Sequence, residues 1–172
     1  ELEKEIRLGE DYAKNFSKLA NMDKNTSIYH ILPMFFMAGI LNTFFSPIMV
    51  GGCVIEGEIF SSISQYYFWN RCVDTKANTL CLTPTIAISL CYLVNDKSEA
   101  ETNVKYLKSI HSTAGVLLKG VRNKFHKLFG KPLQDCYGLT ELGGPLTLQT
   151  SLAALTQHDS GYMTPELKYS FK

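Results

Sequence analysis

The chain has 172 residues, of which 45% are hydrophobic, and its formal net charge is +1 at pH 7. This length fits one domain or a large part of a bigger one, and so small a charge does not indicate nucleic acid or an anionic membrane surface as a partner. The five cysteines are scattered without a C-x-x-C pair, and the four histidines lack the spacing of zinc ligands. A metal cage is therefore not expected, and reduced thiols in the cytoplasm fit better.

The predicted elements divide the chain into three parts. Residues 1–26 are the most charged segment, and the helical spacing of Tyr12 and Phe16 predicts a surface helix there. Short apolar runs in the core segment, 27–150, predict strands at 27–32, 53–55, 79–82, 109–112 and 133–136. The helices between them are predicted at 35–45, 59–72, 83–96 and 117–129, with a polar, exposed segment at 98–105.

The uncharged run at 31–50 is long enough to span a bilayer. Pro33, Gly39 and Pro47 interrupt it, and a proline inside a spanning helix would break or kink that helix. A buried core segment is therefore favoured over a membrane span. No basic stretch followed by an apolar one opens the sequence, so no signal peptide is expected.

Two of the predicted helices carry clear end signals. Thr83 supplies an N-cap hydroxyl and Pro84 suits the first helical position, while Gly130 is a typical C-terminal stop. The helix at 117–129 is amphipathic, with an apolar face and a basic face that is predicted to be solvated. The basic residues are Lys119, Arg122, Lys124 and Lys127.

Strands alternating with helices predict an α/β fold with a mostly parallel sheet and helices on both faces. Ligands of such sheets bind beyond the carboxyl ends of the strands. The segments 112–115 and 137–141 each follow a predicted strand. We therefore expect these two segments to face each other across one crevice.

The residues at 137–141 combine side chains that suit chemistry better than packing. Tyr137 offers an aromatic face, Gly138 permits close backbone approach, Thr140 brings a hydroxyl and Glu141 a carboxylate. Such a set can stack on a planar base, hydrogen-bond an oxyanion and hold a hard cation.

Five segments, in order, resemble the adenylate-forming (AMP-binding) enzymes. The sequence Y-G-L-T-E at 137–141 matches the family signature Y-G-x-T-E, and 32–39 is similar to its L-P-x-F-H-x-x-G segment. Residues 125–133 resemble F-x-x-x-F-G-x-P-L, and 68–84 and 107–118 resemble the intervening family segments. The likeness covers most of 27–149 and is closest to acyl-CoA synthetases. It implies a fragment of the large N-terminal domain, with 151–172 as the truncated start of the next segment.

The resemblance implies a ligase that activates a carboxylic acid with ATP and Mg²⁺ to an acyl-adenylate and then transfers the acyl group to the thiol of coenzyme A, as in fatty acid metabolism. Neither nucleic acid nor a membrane is an expected partner. A peptide-synthetase or carrier-protein-loading adenylation domain is the alternative within the enzyme class. A non-catalytic remnant or interaction module of the same fold is the alternative outside it.

The same resemblance assigns roles to residues that would bind ATP. It implies that Tyr137 stacks on adenine, that Asp135 contacts the adenine amino group, and that Ala114 and Gly115 line the other side of the base. Asp135 departs from the more frequent Asn, although an Asp can accept the same hydrogen bond. In the following residues, Thr140 would bond the phosphate or the acyl carboxylate and Glu141 would hold Mg²⁺.

The acyl group would lie beside Gly138, with Phe36 and Leu139 as apolar walls of its pocket. Phe36 stands where the family frequently has His, so a steric gate is implied there and proton transfer is not. The family's phosphate loop and C-terminal lysine do not occur in these residues, so the chain alone is expected to be inactive.

The remaining polar candidates have ordinary structural interpretations. His30 and His111 lie in apolar strands and are predicted to be hydrogen-bonded core histidines. The cysteines are predicted to be small buried apolar residues.

Overall fold

The computed structural model describes residues 2–139, 144–156 and 162–163. Within them, the strands form one sheet in the order β2-β1-β3-β4-β5-β6-β7. The strands are β1 Ser27–His30, β2 Cys53–Glu56, β3 Thr79–Leu82, β4 Ser109–Ser112, β5 Gln134–Leu139, β6 Gly144–Leu148 and β7 Tyr162–Met163.

The first five strands pair in parallel, and β6 and β7 continue the sheet as antiparallel strands. The prediction of an α/β fold with a mostly parallel sheet is confirmed. β3 is buried at all four positions, as a central parallel strand covered on both faces should be.

The helices fall into two groups that pack among themselves. One contains α1 Leu2–Leu19, a π-helix at Ala38–Phe45 and α2 Ser46–Met49. The other contains α3 Phe68–Asp74, α4 Pro84–Tyr92, α5 Lys97–Asn103 and α6 Lys119–Phe129. A 3-10 turn at Ser64–Tyr66 precedes α3, and α7 spans Ser151–Thr156. None of the described helices combines the length and hydropathy needed to cross a membrane.

The amino-terminal helix is anchored to the π-helix. Tyr12 and Phe16 are buried, and the Tyr12 hydroxyl donates a 2.8 Å hydrogen bond to Asn42 Oδ1. The Phe16 ring meets the His111 ring edge-on at 6.0 Å. The inner face of α1 therefore contributes to the core.

The division of the chain into 1–26, 27–150 and 151–172 stays a prediction.

The end signals of α4 and α6 are confirmed. Thr83 Oγ1 accepts a 3.2 Å hydrogen bond from the Ile86 amide at the start of α4. Gly130 ends α6 in the left-handed conformation, with φ of 66°. The helix predicted at 83–96 nevertheless ends at Tyr92, because a new helix, α5, starts after Asp96.

The prediction that 98–105 is polar and exposed holds for most of the segment, which is helical as far as Asn103. Asp96 caps α5 by accepting a 2.8 Å hydrogen bond from the Ser98 amide. The helix buries Ala100, and Val104 is buried just beyond its end. Two apolar anchors were enough to fold a segment whose composition is otherwise polar.

Two other predicted helices are present, but with different bounds or a different type. The helix predicted at 59–72 does not include 59–63, where Ser61 and Ser64 exchange hydrogen bonds between hydroxyls and amides. The helix predicted at 35–45 is a π-helix that begins at Ala38. Thr43 Oγ1 donates to the Gly39 carbonyl there, at 2.9 Å.

The cysteine prediction holds in part. The thiols of Cys72, Cys81, Cys91 and Cys136 are buried, and burial raises the pKa of each, to about 12 for Cys81. Cys53 is exposed at the start of edge strand β2, so for this residue the prediction of burial is wrong.

Candidate functional site

The carboxyl ends of β4 and β5 border one cleft of about 290 Å³. The turn after β4 supplies one wall and β5 supplies the other. The lining residues are Ala114, Gly115, Val116, Asp135, Cys136, Tyr137 and Gly138. The structure thus brings together five of the six residues predicted to bind the nucleotide, all but Thr140, and places them at the ligand-binding edge of a parallel sheet.

Tyr137 lies in the wall of the cleft and leaves 46% of its surface exposed. The prediction that it starts a loop is wrong, because β5 continues to Leu139 and pairs antiparallel with β6. The register shifts between Tyr137 and Gly138, which is a bulge in the ladder. Bulges re-aim side chains, and this one lies at the aromatic residue of the cleft.

The opposite wall is made of small residues in a tight turn. Ala114 has φ of 62°, a left-handed conformation that a residue with a Cβ seldom adopts. Such local strain is found disproportionately at functional sites. A Cβ on the neighbouring Gly115 would meet only Pro84, at an ordinary contact distance of 3.5 Å. The fold itself therefore has room for a side chain at Gly115.

Asp135 forms the inner end of the cleft and is nearly buried. Its Oδ2 lies 3.7 Å from a terminal nitrogen of Arg122, which is 4% exposed on α6. The prediction that Arg122 belongs to a solvated basic face is therefore wrong, whereas Lys119, Lys124 and Lys127 are exposed. A buried carboxylate needs a compensating cation, and α6 provides one.

The backbone of Asp135 is fixed as well. Its amide donates a 3.0 Å hydrogen bond to Gln149 Oε1, and its carbonyl accepts a 2.9 Å bond from the Gln149 amide. Gln149 directly follows β6 and is buried. The carboxylate is therefore held in place through both its main chain and its side chain.

Cys136 adds a thiol to the lining of the cleft. Burial raises its pKa well above the usual value, with nearby Cys81 acting in the same direction. A thiol that stays protonated is a poor nucleophile. Cys136 therefore acts as a small apolar side chain in this wall.

Two predicted site residues lie apart from the cleft. Phe36 follows β1, which two strands separate from β5, so at ~4.8 Å per strand β1 itself lies ~14 Å from β5 across the sheet. It is 55% exposed, and its ring contacts Phe35 with a centroid distance of 4.6 Å. Leu139 is exposed near the end of β5 but does not line the cleft.

Thr140 and Glu141, predicted to contact phosphate and Mg²⁺, lie outside the described residues. Within the described ranges, no cluster of three or more His, Cys, Asp or Glu side chains could hold a metal ion. The described part of the chain therefore provides no geometry for Mg²⁺.

The two strand histidines differ in how well they are hydrogen-bonded. His30 Nδ1 lies 2.7 Å from Thr43 Oγ1, and burial lowers its pKa. His111 is fully buried, and its Nε2 bonds to the Ser109 hydroxyl while its Nδ1 has no partner. Burial lowers the pKa of His111 to about 4. The prediction of a hydrogen-bonded core histidine is thus confirmed for His30 and holds for only one nitrogen of His111.

Arg122 is the residue beside the cleft that the sequence interpretation missed. The buried stripe of α6 contains Arg122, Phe125 and Phe129, spaced at i, i+3 and i+7. That spacing was readable in the sequence and would have placed the arginine among the core positions.

A family profile described as AMP-binding enzyme matches residues 10–169. The chain belongs to this family. Among curated relatives of this AMP-binding enzyme chain is a mitochondrial malonate–CoA ligase of Xenopus laevis. The two are 28% identical over 134 residues, which is 72% of this chain and 23% of the relative. The chain thus spans about a quarter of the length of that relative.

Solved structures show the same fold as this AMP-binding chain. ATP-bound MatB from Rhodopseudomonas palustris matches with a TM-score of 0.71 and 15% identity, over 82% of this chain and 26% of that one. An anthranilate CoA ligase in complex with anthranoyl-AMP matches at 0.78 and 14%, over 92% and 30%. The N-terminal domain of FACL13 from Mycobacterium tuberculosis matches at 0.74 and 19%, over 90% and 37%.

Proposed function

We propose that this chain supplies the adenine-binding part of an ATP-dependent acid–thiol ligase. The enzyme would activate a carboxylic acid as its acyl-adenylate, release pyrophosphate and pass the acyl group to a thiol. The observation that carries this proposal is the cleft that Tyr137 lines together with Ala114 and Gly115, in a chain of the AMP-binding family. An aromatic face opposite small residues suits a flat base.

The chemical difficulty of this reaction is to bring an anionic carboxylate to an anionic α-phosphate. Positioning and charge neutralisation supply most of the rate in such transfers. In this proposal Tyr137 stacks on adenine, Asp135 accepts from the adenine amino group, and Gly138 leaves space for the acyl group. Phe36 and Leu139 are proposed as apolar walls for the acyl chain.

Thr140 and Glu141 are proposed to contact phosphate and to hold Mg²⁺. A carboxylate oxygen is the kind of ligand that this hard cation prefers, and the metal when bound would neutralise phosphate charge. These two roles rest on the sequence signature alone.

Coenzyme A is proposed as the acceptor thiol, since the curated relative is a CoA ligase. The chain also shares its fold with the adenylation domain of a keto acid-selecting peptide-synthetase module, at a TM-score of 0.69 and 11% identity. A carrier-protein thiol is therefore the acceptor to compare. A role in fatty acid metabolism and a cytoplasmic location stay predictions, and the curated relative is mitochondrial.

Acid-dependent exchange of labelled pyrophosphate into ATP tests the activity. The full-length protein that carries this sequence would be assayed with a panel of mono- and dicarboxylic acids, followed by CoA and carrier-protein acceptors. Exchange with at least one acid supports the proposal, and its absence across the panel contradicts it. Glu141→Ala is expected to remove most exchange, whereas Glu10→Ala, an exposed carboxylate on α1, should not.

Tyr137→Ala tests the base-binding role of the cleft. Because base–aromatic stacking is worth about 1–3 kcal/mol, ATP should bind about 5- to 150-fold more weakly, while Tyr137→Phe should keep most of the affinity. Titration calorimetry of the full-length protein with ATP measures this. Equal affinity in the wild type and the Ala variant would remove the adenine role from Tyr137.

A further inference from the structure

A buried ion pair joins α6 to one of the residues that line the cleft. Arg122 is a buried charge on a helix whose other fully inward residues are Phe125 and Phe129. Replacing a buried ion pair by apolar residues is often neutral or stabilising, so stability alone is a weak reason to keep one. The partner of Arg122 is Asp135, which is one of the residues that line the cleft.

The pair fixes what Asp135 can offer to a ligand. An ionised carboxylate accepts hydrogen bonds and donates none, and the guanidinium supplies the positive charge that favours this ionised form in a buried position. The bonds to Gln149 hold the backbone of the same residue. The small exposed part of Asp135 therefore presents a fixed hydrogen-bond acceptor to the cleft.

A fixed acceptor discriminates between purine bases. Adenine carries an amino group, a donor, at the position where guanine carries the oxygen O6, an acceptor. A carboxylate facing that position bonds adenine and opposes guanine. The amide of an asparagine has an acceptor oxygen and a donor nitrogen. By turning one or the other toward the base, it could form a hydrogen bond with either adenine or guanine.

We propose that Arg122 is a positioning residue that holds Asp135 as an acceptor for the adenine amino group and so sets a preference for ATP over GTP. This inference rests on the proposed function, in that it takes the Tyr137 cleft as the base site. It adds a residue outside the cleft, on the buried side of α6, to the determinants of nucleotide choice.

The experiment compares the kcat/KM of pyrophosphate exchange with ATP and with GTP in the full-length protein. Arg122→Met removes the charge and should reduce the ATP-to-GTP ratio by roughly tenfold, mainly through the KM for ATP, as expected for loss of a charged hydrogen bond. Arg122→Lys keeps the charge and should restore most of the ratio. Lys127→Met, an exposed lysine of the same helix, is the control and should leave the ratio unchanged.

A double-mutant cycle separates positioning from mere stability. Arg122→Met and Asp135→Asn act through one carboxylate in this proposal, so their effects on the ratio should not add. Removing both charges should restore thermal stability without restoring the ratio, since no buried charge is then left unpaired. If Arg122→Met does not fold, Arg122→Gln, which keeps a donor without the charge, takes its place.

The outcomes are distinct. A folded Arg122→Met or Arg122→Gln variant with the wild-type ATP-to-GTP ratio overturns the role of Arg122, whatever its melting temperature. Additive effects of Arg122→Met and Asp135→Asn overturn it as well. Absence of exchange in the wild type with every acid overturns the proposed function, and the present inference falls with it.

Discussion

The small-residue wall of the cleft separates what the fold needs from what a ligand would need. Ala114 is strained and Gly115 is not, since the latter has ordinary backbone geometry and space for a Cβ. The protein itself therefore gives no steric reason for a glycine at this position of the cleft. In the proposed function its neighbour is the adenine ring.

Gly115→Ala is therefore expected to weaken ATP binding without harming the fold. The added methyl group would contact only Pro84 in the protein, and Gly-to-Ala changes at compatible sites stabilise by about 0.4–1 kcal/mol. Differential scanning calorimetry and ATP titration of the same sample measure both effects. A loss of melting temperature together with unchanged ATP affinity would contradict this explanation.

His111 predicts a pH dependence of stability. Burial lowers its pKa to about 4 in the folded protein, from the usual 6.5 of histidine. Between these values the unfolded chain binds a proton that the folded chain does not, so stability is full above pH 6.5 and is lost as the pH falls toward 4. The loss attributable to this residue is on the order of 3 kcal/mol.

Urea unfolding at pH 7.5 and at pH 4.5 tests this assignment. His111→Leu should lose less stability than the wild type over this interval, because the titrating group is gone. His126→Leu, which removes an exposed histidine of α6, should behave like the wild type. Equal pH dependence in His111→Leu and the wild type would show that other groups cause the loss.

The π-helix is the element whose geometry depends most on one residue. A Cβ on Gly39 would overlap with the carbonyl oxygen of Pro33, which is backbone and cannot rotate away. The turn at Pro33 and the start of the π-helix thus require glycine. Tyr12 from α1 then bonds to Asn42 within the same π-helix, which couples the two elements.

Gly39→Ala is expected to destabilise the fold by about 1–3 kcal/mol, the usual cost of overpacking. Gly120→Ala is the matched control. Gly120 lies in α6, and a Cβ at this position would meet no atom within 4 Å. It should be neutral or stabilising. Chemical denaturation of both variants checks the prediction, and an unchanged midpoint for Gly39→Ala would refute it.

Elements were predictable from the sequence where one local signal dominated. Strands β1 to β4 are short, mostly apolar runs bounded by residues that interrupt strands. Thr83 marks the start of α4, and Gly130 marks the end of α6. Prediction failed where a side chain outside the pattern decided the structure. Ser61 and Ser64 shortened one helix, and Asp96 with two buried anchors built another.

The candidate site could likewise be predicted from the sequence only in part. Tyr137, Asp135 and Ala114 could be predicted to share one crevice, because the α/β alternation indicates parallel strands and the carboxyl ends of parallel strands lie at one edge of the sheet. The burial of Arg122 was missed because its charge, beside exposed lysines, favoured the solvated face over the inward position that its spacing with Phe125 and Phe129 indicates. The antiparallel pairing of β5 with β6 was missed, although the two strands follow each other in sequence, because 137–141 was interpreted as a loop.

At the scale of the whole molecule, the surface carries large apolar side chains in unusual number. The most exposed are Phe35, Ile63, Tyr66, Tyr92, Val116 and Leu152. Strand β2 lies at the edge of the sheet. It pairs with β1 on one side, and among the described residues no strand pairs with its other side. Exposed apolar groups and open strand edges promote association between copies.

The 172-residue chain expressed by itself is accordingly expected to self-associate. Sedimentation velocity over a concentration series should show species larger than a monomer, and charged substitutions at Phe35 and Ile63 should reduce them. A single monomeric species at all concentrations would contradict the expectation. Glu10→Lys, a change confined to an already polar surface position, serves as the control for charge alone.

Strand β5 has neighbours along both edges, with β4 parallel on one side and β6 antiparallel on the other. Opening such a strand must break two ladders together, and the Gln149 bonds to Asp135 besides. Segments of this kind belong to the slowly exchanging parts of a protein in hydrogen–deuterium exchange. Asp135 lies where β5 pairs with β4, and Tyr137 lies where β5 pairs with β6, so both residues of the cleft belong to the hydrogen-bonded sheet and a ligand would meet them preformed.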